Sequence, residues 1–306
     1  VFQDFGYMYF SDTRETKEVF KKNQGMQTSL GAKTRLMTPS EISFEYPFYN
    51  VKDIIVGSHN TLDEGYFDGA TIFSWWLKKN KELGVSYLSD EVISIDFDSK
   101  TSLVNGVQLK SGKKINCGTL VNAAGTRAAE ISEMLGVHLP IEPRRRYSFV
   151  FDAEKPLDRP LPLTIDPSGV HVRSDGNYYV AGCPPDQDFP VNYNDFEMDH
   201  SIWEDKIWPA LAHRIPQFDR LKIINSWVGH YSYNIFDQNA VLGPHPQIKN
   251  FIFANGFSGH GLQQSPAVGR GISEIIIYGE YRSLDLSPLN FSRFIEDKPF
   301  LERAII

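Results

Sequence analysis

From residue 251 to 266 the chain reads Phe-Ile-Phe-Ala-Asn-Gly-Phe-Ser-Gly-His-Gly-Leu-Gln-Gln-Ser-Pro, an apolar run followed by three glycines, a histidine, two amides and a proline. The apolar run reads as a buried strand. The glycines turn it into a helix, for which Ser265 is expected at the N-cap and Pro266 at the first helical position. A helix start delivered by a tight loop presents unpaired N–H groups and a partial positive charge, which suits an anionic or electron-rich group. Glycines let that group come close to the backbone. Ala267, Gly269 and Gly271 thin one side of the helix for packing on a sheet, and Gly279 is expected to stop it. Glycine content alone fits an ordinary strand-to-helix connection equally well; the discriminating feature is the whole stretch GFSGHGLQQSP.

Other chemistry-bearing residues cluster by type. Arg144, Arg146 and Tyr147 lie in IEPRRRYSFVF, where strand alternation turns Arg145 away from its neighbours, and an arginine can grip a carboxylate with two parallel hydrogen bonds. Tyr231 and Tyr233 share one strand face, with His230 and Ser232 on the other, although packing explains a strand tyrosine equally well. His171 and Arg173 share a face in GVHVR, where a cross-strand structural role is an equal alternative. His200 and Glu204 sit one helical turn apart, yet no third ligand occurs at a suitable spacing, so no metal is expected.

The stretch GFSGHGLQQSP resembles the C-terminal flavin motif of the superfamily of D-amino-acid oxidase, sarcosine oxidase and dimethylglycine dehydrogenase. IEPRRRYSFVF, FDQNAVLGPHP and LDLSPLNFSRF extend the resemblance, along nearly all of the chain, to a mitochondrial branch concerned with assembly of respiratory complex I. The resemblance implies FAD as cofactor, with Gly259, His260, Gly261, Leu262 and Gln263 against the isoalloxazine ring, and Val92, Ala124 and Gly125 on the adenosine side. It implies Tyr231 as the flavin-facing tyrosine and Arg146, ranked above Arg144, as the group that positions a small amine or amino-acid substrate. It also implies a mitochondrial location, in the matrix or at the inner membrane, and complex I subunits or assembly intermediates as partners. The chain departs from better-known members at two places. Leu262 and Gln263 stand where sarcosine oxidases have Phe-Lys, so a neutral amide replaces a cation. Gly229 stands where that branch attaches its flavin through cysteine, and neither Cys117 nor Cys183 has a matching context, so the FAD is expected to be noncovalent. The missing cation and the lack of an evident acid/base pair keep open a non-enzymatic assembly scaffold with the same fold.

The resemblance implies a mixed α/β architecture: a discontinuous, glutathione-reductase-like FAD-binding domain lacking its N-terminal βαβ and an antiparallel-sheet substrate domain of D-amino-acid oxidase type. The expected divisions are 1–59 (substrate portion), 60–142 (FAD-binding, first portion), 143–238 (substrate), 239–285 (FAD-binding, second portion) and 286–306 (tail). No G-x-G-x-x-G occurs, so the N-terminal βαβ is expected upstream of Val1, which reads as an interior point of a longer protein.

Between the site stretches, Phe5, Tyr7 and Tyr9 alternate as a strand, and Ser11-Asp12 is expected to cap a helix running to about Gln24. Asp68 is expected to cap a second helix, whose Ile72, Trp75, Trp76 and Leu83 form a core-facing stripe. VSYL, EVISIDF and SLVNGVQLK read as strands, the last with a turn at Asn105-Gly106, and Phe196, Trp203, Ile207 and Leu211 as one helix face. A net charge of −7 with scattered Lys and Arg argues against a nucleic-acid partner, and two cysteines make no disulfide framework. No apolar run approaches the roughly 20 residues that span a bilayer.

Overall fold

The aromatic alternation at the start of the chain forms a strand from Tyr7 onward, with Phe5 before it, and the elements after it arise mostly from local signals. The computed structural model describes residues 2–302. β1 (Phe2–Gln3) and β2 (Tyr7–Ser11) lead into α1 (Arg14–Ser29), which is capped by Thr13 and extends beyond Gln24. Ser11 is not the cap, because its hydroxyl donates instead to the Thr13 carbonyl. After β3 (Arg35–Met37), α2 (Pro39–Glu45) begins with Pro39 inside a full capping box, in which Thr38 and Glu41 satisfy each other's backbone N–H. β4 (Val56–Asn60) and β5 (Tyr66–Phe67) precede α3 (Gly69–Glu82), capped by Asp68 as its sequence implies.

The stripe on α3 is not core. Trp75 is 60% and Leu83 71% exposed, and no residue of α3 is buried. A helical period specifies a face but not what covers it. VSYL forms no strand; β6 (Val92–Asp98) pairs with β7 (Leu103–Leu109) and β7 with β8 (Lys114–Asn116). Asn105-Gly106 lies inside β7 rather than at its turn, which falls at 99–102, with Asp98 accepting from Lys100 N–H and the Thr101 hydroxyl. Gly106 serves close approach instead, since a Cβ there would stand 2.2 Å from the Ile115 carbonyl oxygen.

β9 (Leu120–Asn122) and α4 (Ala128–Glu133) then lead to β10 (Ile141–Ala153), β11 (Leu163–Ile165), β12 (His171–Asp175) and β13 (Tyr178–Gly182), followed by α5 (Trp208–Arg214) and β14 (Leu221–Asn234). One eight-stranded sheet collects these in the order β14-β10-β13-β12-β11-β2-β4-β3, antiparallel except where β11 meets β2. Its two faces differ sharply. One carries Met8, Phe10, Tyr147, Phe149, Phe151, Val172, Tyr179 and Ala181 into a continuous core with Ile42 of α2 and with Trp203, Ile207 and Leu211. Phe196 does not join that face; it stacks on the His230 ring at a centroid distance of 4.4 Å. By alternation and register the other face carries Tyr7, Arg144, Arg146, His171, Arg173 and Tyr231. That polar face is what the rest of the chain must cover or use.

β15 (Val241–Pro244) and β16 (Phe251–Asn255) join β9 in a three-stranded sheet, β16 running parallel to β9. Phe251, Phe253 and Val241 pack one way, against Ile141, Ala128 and Phe291, while Leu242 and Ile252 pack the other way, against Val268 and Ile272 of α6 (Gly261–Tyr278). The helix begins at Gly261, earlier than Ser265, and Pro266 sits inside it. A proline there cannot donate to the Leu262 carbonyl, and the Ser265 hydroxyl does so instead at 2.9 Å. Gly279 closes the helix in the left-handed conformation, and Gly271 is needed because a Cβ would stand 2.5 Å from Leu286. Among the described residues no helix is long and apolar enough to cross a membrane.

The tail is clamped through α7 (Ser292–Ile295), whose Arg293 is buried against the fully buried Asp237 at 2.6 Å and also donates to the Leu289, Asn290, Asn239 and Ala240 carbonyls. Asp237 in turn accepts from the Asn234 amide at 2.9 Å and the Phe300 N–H at 3.0 Å. Replacing Asp237 with alanine strands a buried guanidinium, so chemical denaturation is expected to show a loss of about 3 to 5 kcal/mol. Asp297→Asn, on the exposed side of the tail, is expected to change stability by no more than about 0.5 kcal/mol.

Candidate functional site

Two parallel strands, β9 and β16, end side by side, and each hands the chain to a glycine-bearing turn. Asn122 organises the first: its amide donates to the Ala128 carbonyl at 2.9 Å and the Ser132 hydroxyl at 3.1 Å, while its oxygen accepts from Ala124 N–H at 3.1 Å. Gly125 comes next in that turn, with φ +58. Asn255 at the end of β16 donates to the same Asn122 oxygen at 3.3 Å, tying the two turns together. The second turn has Gly256, Ser258 and Gly259 at φ +69, +48 and +100.

That second turn is stitched to the end of β14. Ser258 N–H donates to the Ser232 carbonyl at 3.1 Å, Asn234 N–H donates to the Ser258 hydroxyl at 3.0 Å, and the Ser232 hydroxyl donates to the Gly125 carbonyl at 2.8 Å. Three chain segments therefore meet at one point, where the eight-stranded sheet abuts the three-stranded one. Tyr231 lies directly on Gly259: a Cβ there would stand 2.6 Å from the tyrosine ring. Gly261 has no positive φ, and its Cβ would reach only to 3.3 Å from Phe257, so the steric demand in the stretch falls on Gly259 and on Gly256, whose Cβ would stand 2.8 Å from Ile141.

The polar sheet face continues from Tyr231. The Arg146 guanidinium stands 4.6 Å from the Tyr231 ring centroid and is held by Asp188 through two hydrogen bonds of 2.9 Å. Arg144 pairs with Glu142 at 2.6 Å and stands 5.4 Å from the Tyr233 ring, as the shared face of the two tyrosines requires. Arg173 lies over the Tyr66 ring at 4.0 Å and pairs with Asp175 at 3.0 Å. Between these cations His171 is held neutral, its imidazole pushed down to about 4 by burial and then by Arg173 and Arg146. Burial also raises the Tyr231 and Tyr7 phenols, against the opposing pull of Arg146 on the first and of the Gln263 amide and Arg173 on the second.

The remaining sequence candidates fall around this centre. Leu262 and Gln263 are exposed on the first turn of α6, whose N-cap residue His260 makes no side-chain capping bond. Ala124 and Gly125 form the first turn, and Val92 opens β6 beside Glu91, whose carboxylate takes Arg127 at 2.7 Å. His200 precedes its helix, and no group of three or more metal-ligating side chains occurs among the described residues. Sequence reasoning missed Ser232, Asn234 and Ser258 as the stitches, and Asp188 as the partner of Arg146. Nothing in their local spacing marks those pairings, which span from 24 to 107 positions. A cavity of about 940 Å³ opens elsewhere, among Phe5, Tyr46, Asp152, Ser174 and Tyr179, at the core side of the large sheet rather than at this junction.

Comparison with known proteins gives a consistent answer. The family model described as FAD dependent oxidoreductase (DAO) matches residues 1–275. FAD-dependent oxidoreductase domain-containing protein 1 of Xenopus laevis is 34% identical, over 100% of this chain and 67% of that protein. Among solved structures, L-proline dehydrogenase from P. horikoshii superposes with a TM-score of 0.87 at 26% identity, covering 98% of this chain and 79% of that one. Glycine oxidase from Geobacillus kaustophilus gives 0.78 at 18% identity, covering 95% of this chain and 75% of that one, and so shares the fold.

Two measurements check the geometry. Gly259→Ala places a methyl group against Tyr231 at a positive φ, so unfolding experiments are expected to show a loss of roughly 1 to 3 kcal/mol, and Gly261→Ala clearly less. Separately, because His171 is neutral in the fold and protonates near pH 6.5 when unfolded, the unfolded chain binds the extra proton between those values. Stability is therefore expected to rise with pH from about 4 to 6.5, by up to about 3 kcal/mol, and His171→Asn should flatten that part of the profile.

Proposed function

The chain belongs to the family of FAD dependent oxidoreductases, whose model spans residues 1–275, and with FAD as its cofactor we propose that it oxidises a small amine or amino acid at the junction of its two sheets. The observation that carries this reading is Tyr231 packed on Gly259 with the Arg146 guanidinium 4.6 Å from the tyrosine ring, an aromatic and a cation set beside the glycine turn at the head of α6.

The residues present fit the ring end of a flavin. Gly259 lets the Tyr231 ring lie against the turn, the first turn of α6 offers unpaired N–H groups, and His260 leaves that turn uncapped. Gly259, His260, Gly261, Leu262 and Gln263 would hold the ring, and Val92, Ala124 and Gly125 would face the adenosine side. With a neutral Gln263 at the first turn, the helix dipole carries more of the stabilisation of negative charge at the ring edge. Gly229 offers no thiol in register with Arg146, which supports noncovalent binding. Bound there, FAD would supply a hydride acceptor for oxidation at the carbon beside the substrate nitrogen. Arg146 orients the substrate through its carboxylate, and Tyr231 packs against it and shields the reacting face from water. His171, kept neutral, adds no fourth cation to that face.

In this reading residues 1–59 and 143–238 build the substrate side, and 60–142 and 239–285 the cofactor side. The finer placement, in mitochondria with complex I subunits or assembly intermediates as partners, is supported by the resemblance of IEPRRRYSFVF, FDQNAVLGPHP and LDLSPLNFSRF to that branch. A scaffold without turnover is the second reading, favoured by the engagement of Arg146 with Asp188.

Anaerobic titration of the FAD-loaded protein with sarcosine, dimethylglycine and L-proline tests the proposal: at least one is expected to bleach the flavin, and none doing so with FAD bound would leave the scaffold reading. Reoxidation by oxygen is expected to be at least about 10-fold slower than by an artificial electron acceptor. The sequence has no lysine between Lys155 and Lys206 to stabilise developing superoxide. Stopped-flow traces of the reduced protein check this.

A further inference from the structure

We propose that Asp188 stands in the place of a substrate carboxylate, so that the 184–200 loop is a latch released by substrates that carry one and left closed by plain amines. The inference rests on the reading that Arg146 lines the substrate side of the site. A guanidinium presents its two terminal nitrogens as a fork that fits one carboxylate at a time. Both are taken, at 2.9 Å each, by the two oxygens of Asp188, and Nη1 also donates to the Arg145 carbonyl at 2.8 Å. Nε is buried with no partner. An incoming carboxylate can therefore use the fork only by displacing Asp188.

The exchange is chemically balanced. One carboxylate replaces another, Arg146 stays neutralised, and Asp188, whose side chain is already 27% exposed, turns to water. The loop is suited to such a movement. None of its residues from Pro184 to His200 is buried, whereas Cys183 and Ile202 at its two ends are. Beyond Asp188 it is held by groups that do not involve Arg146: Lys206 on Asp186, the Val191 N–H on the Pro143 carbonyl, and His230 on the Asp195 carbonyl. Between residues 186 and 191 the Asp188 pair is the side-chain tether, beside the backbone bridge of Pro190 to Arg144, and Phe189 next to it is exposed. Segments with few buried contacts open at low cost.

The consequence is a specificity rule. A ligand with a carboxylate gains the Arg146 fork and frees the loop, while an amine without one finds the cation already neutralised. Asp188 thus determines the substrate class, amino or N-alkylamino acids over simple amines.

Propionate and ethylamine binding to the FAD-loaded protein, read by calorimetry and by the flavin absorbance shift, tests this together with amide hydrogen exchange of residues 187–193. Propionate is expected to bind and to speed exchange in that segment of the wild type, and ethylamine to do neither. Asp188→Asn is expected to tighten propionate binding by about 10-fold or more and to open the loop without ligand. Unchanged or weaker propionate binding in Asp188→Asn, or hydrogen exchange that propionate does not alter in the wild type, would overturn the latch, since Asp188 would then merely orient Arg146. Wild-type propionate affinity in Arg146→Gln would instead bring down the placement of Arg146 at the substrate site.

Discussion

Everything at the junction depends on one backbone turn being held in a conformation it would not keep alone. Ser258 is a non-glycine residue at φ +48, between two glycines at positive φ, and a free chain would rarely hold three such residues in four positions. Its N–H and hydroxyl are engaged by Ser232 and Asn234, and Asn234 is in turn braced by Asp237 and Arg293. The turn is thus fixed by a chain of buried polar contacts that reaches the C-terminal tail. Because each contact is satisfied by the next, the network fixes where α6 starts without leaving a buried charge unpaired.

The large sheet contributes a different constraint. Its apolar face is committed to a core, so alternation leaves its arginines, tyrosines and His171 on the other face with no freedom to invert. Three arginines on one surface would repel each other and any cation, yet each has its own acid: Arg144 with Glu142, Arg146 with Asp188, Arg173 with Asp175. This local pairing lets a basic sequence stretch sit beside a neutral imidazole. It also makes the field at the junction depend on which acid is in place, so a movement of one loop changes the charge that a ligand meets.

The uncovered side of α3 has a related origin. Its helix is specified locally by the Asp68 cap and by its composition, and it forms without burying a residue. Its Trp75 and Leu83 remain exposed, while Trp203, Ile207 and Leu211, with the same kind of spacing, are buried against the large sheet. Two similar periods thus meet opposite fates, according to whether a sheet lies within reach.

The sequence by itself determined what depends on neighbours a few residues apart. The strand-to-helix stretch, the Asp68 cap, the Gly279 stop, the alternation that separates Arg145 from Arg144 and Arg146, and the mixed α/β architecture were legible because dihedral preference and period are local properties. The candidate site was legible only as residue types in a recognisable stretch. Tertiary structure decided the rest. It moved the helix start from Ser265 to Gly261, because a serine hydroxyl could replace the hydrogen bond that Pro266 lacks. It put Asn105-Gly106 inside a strand, because the crowding there comes from β8. It assigned the crucial glycine to position 259, because Tyr231 arrives from a strand that ends 24 residues before the Ser258 it is stitched to. Hydrogen bonds and contacts between distant segments leave no period in the chain, so only the folded arrangement could join Ser232 to Gly125, Asn234 to Ser258 and Arg146 to Asp188.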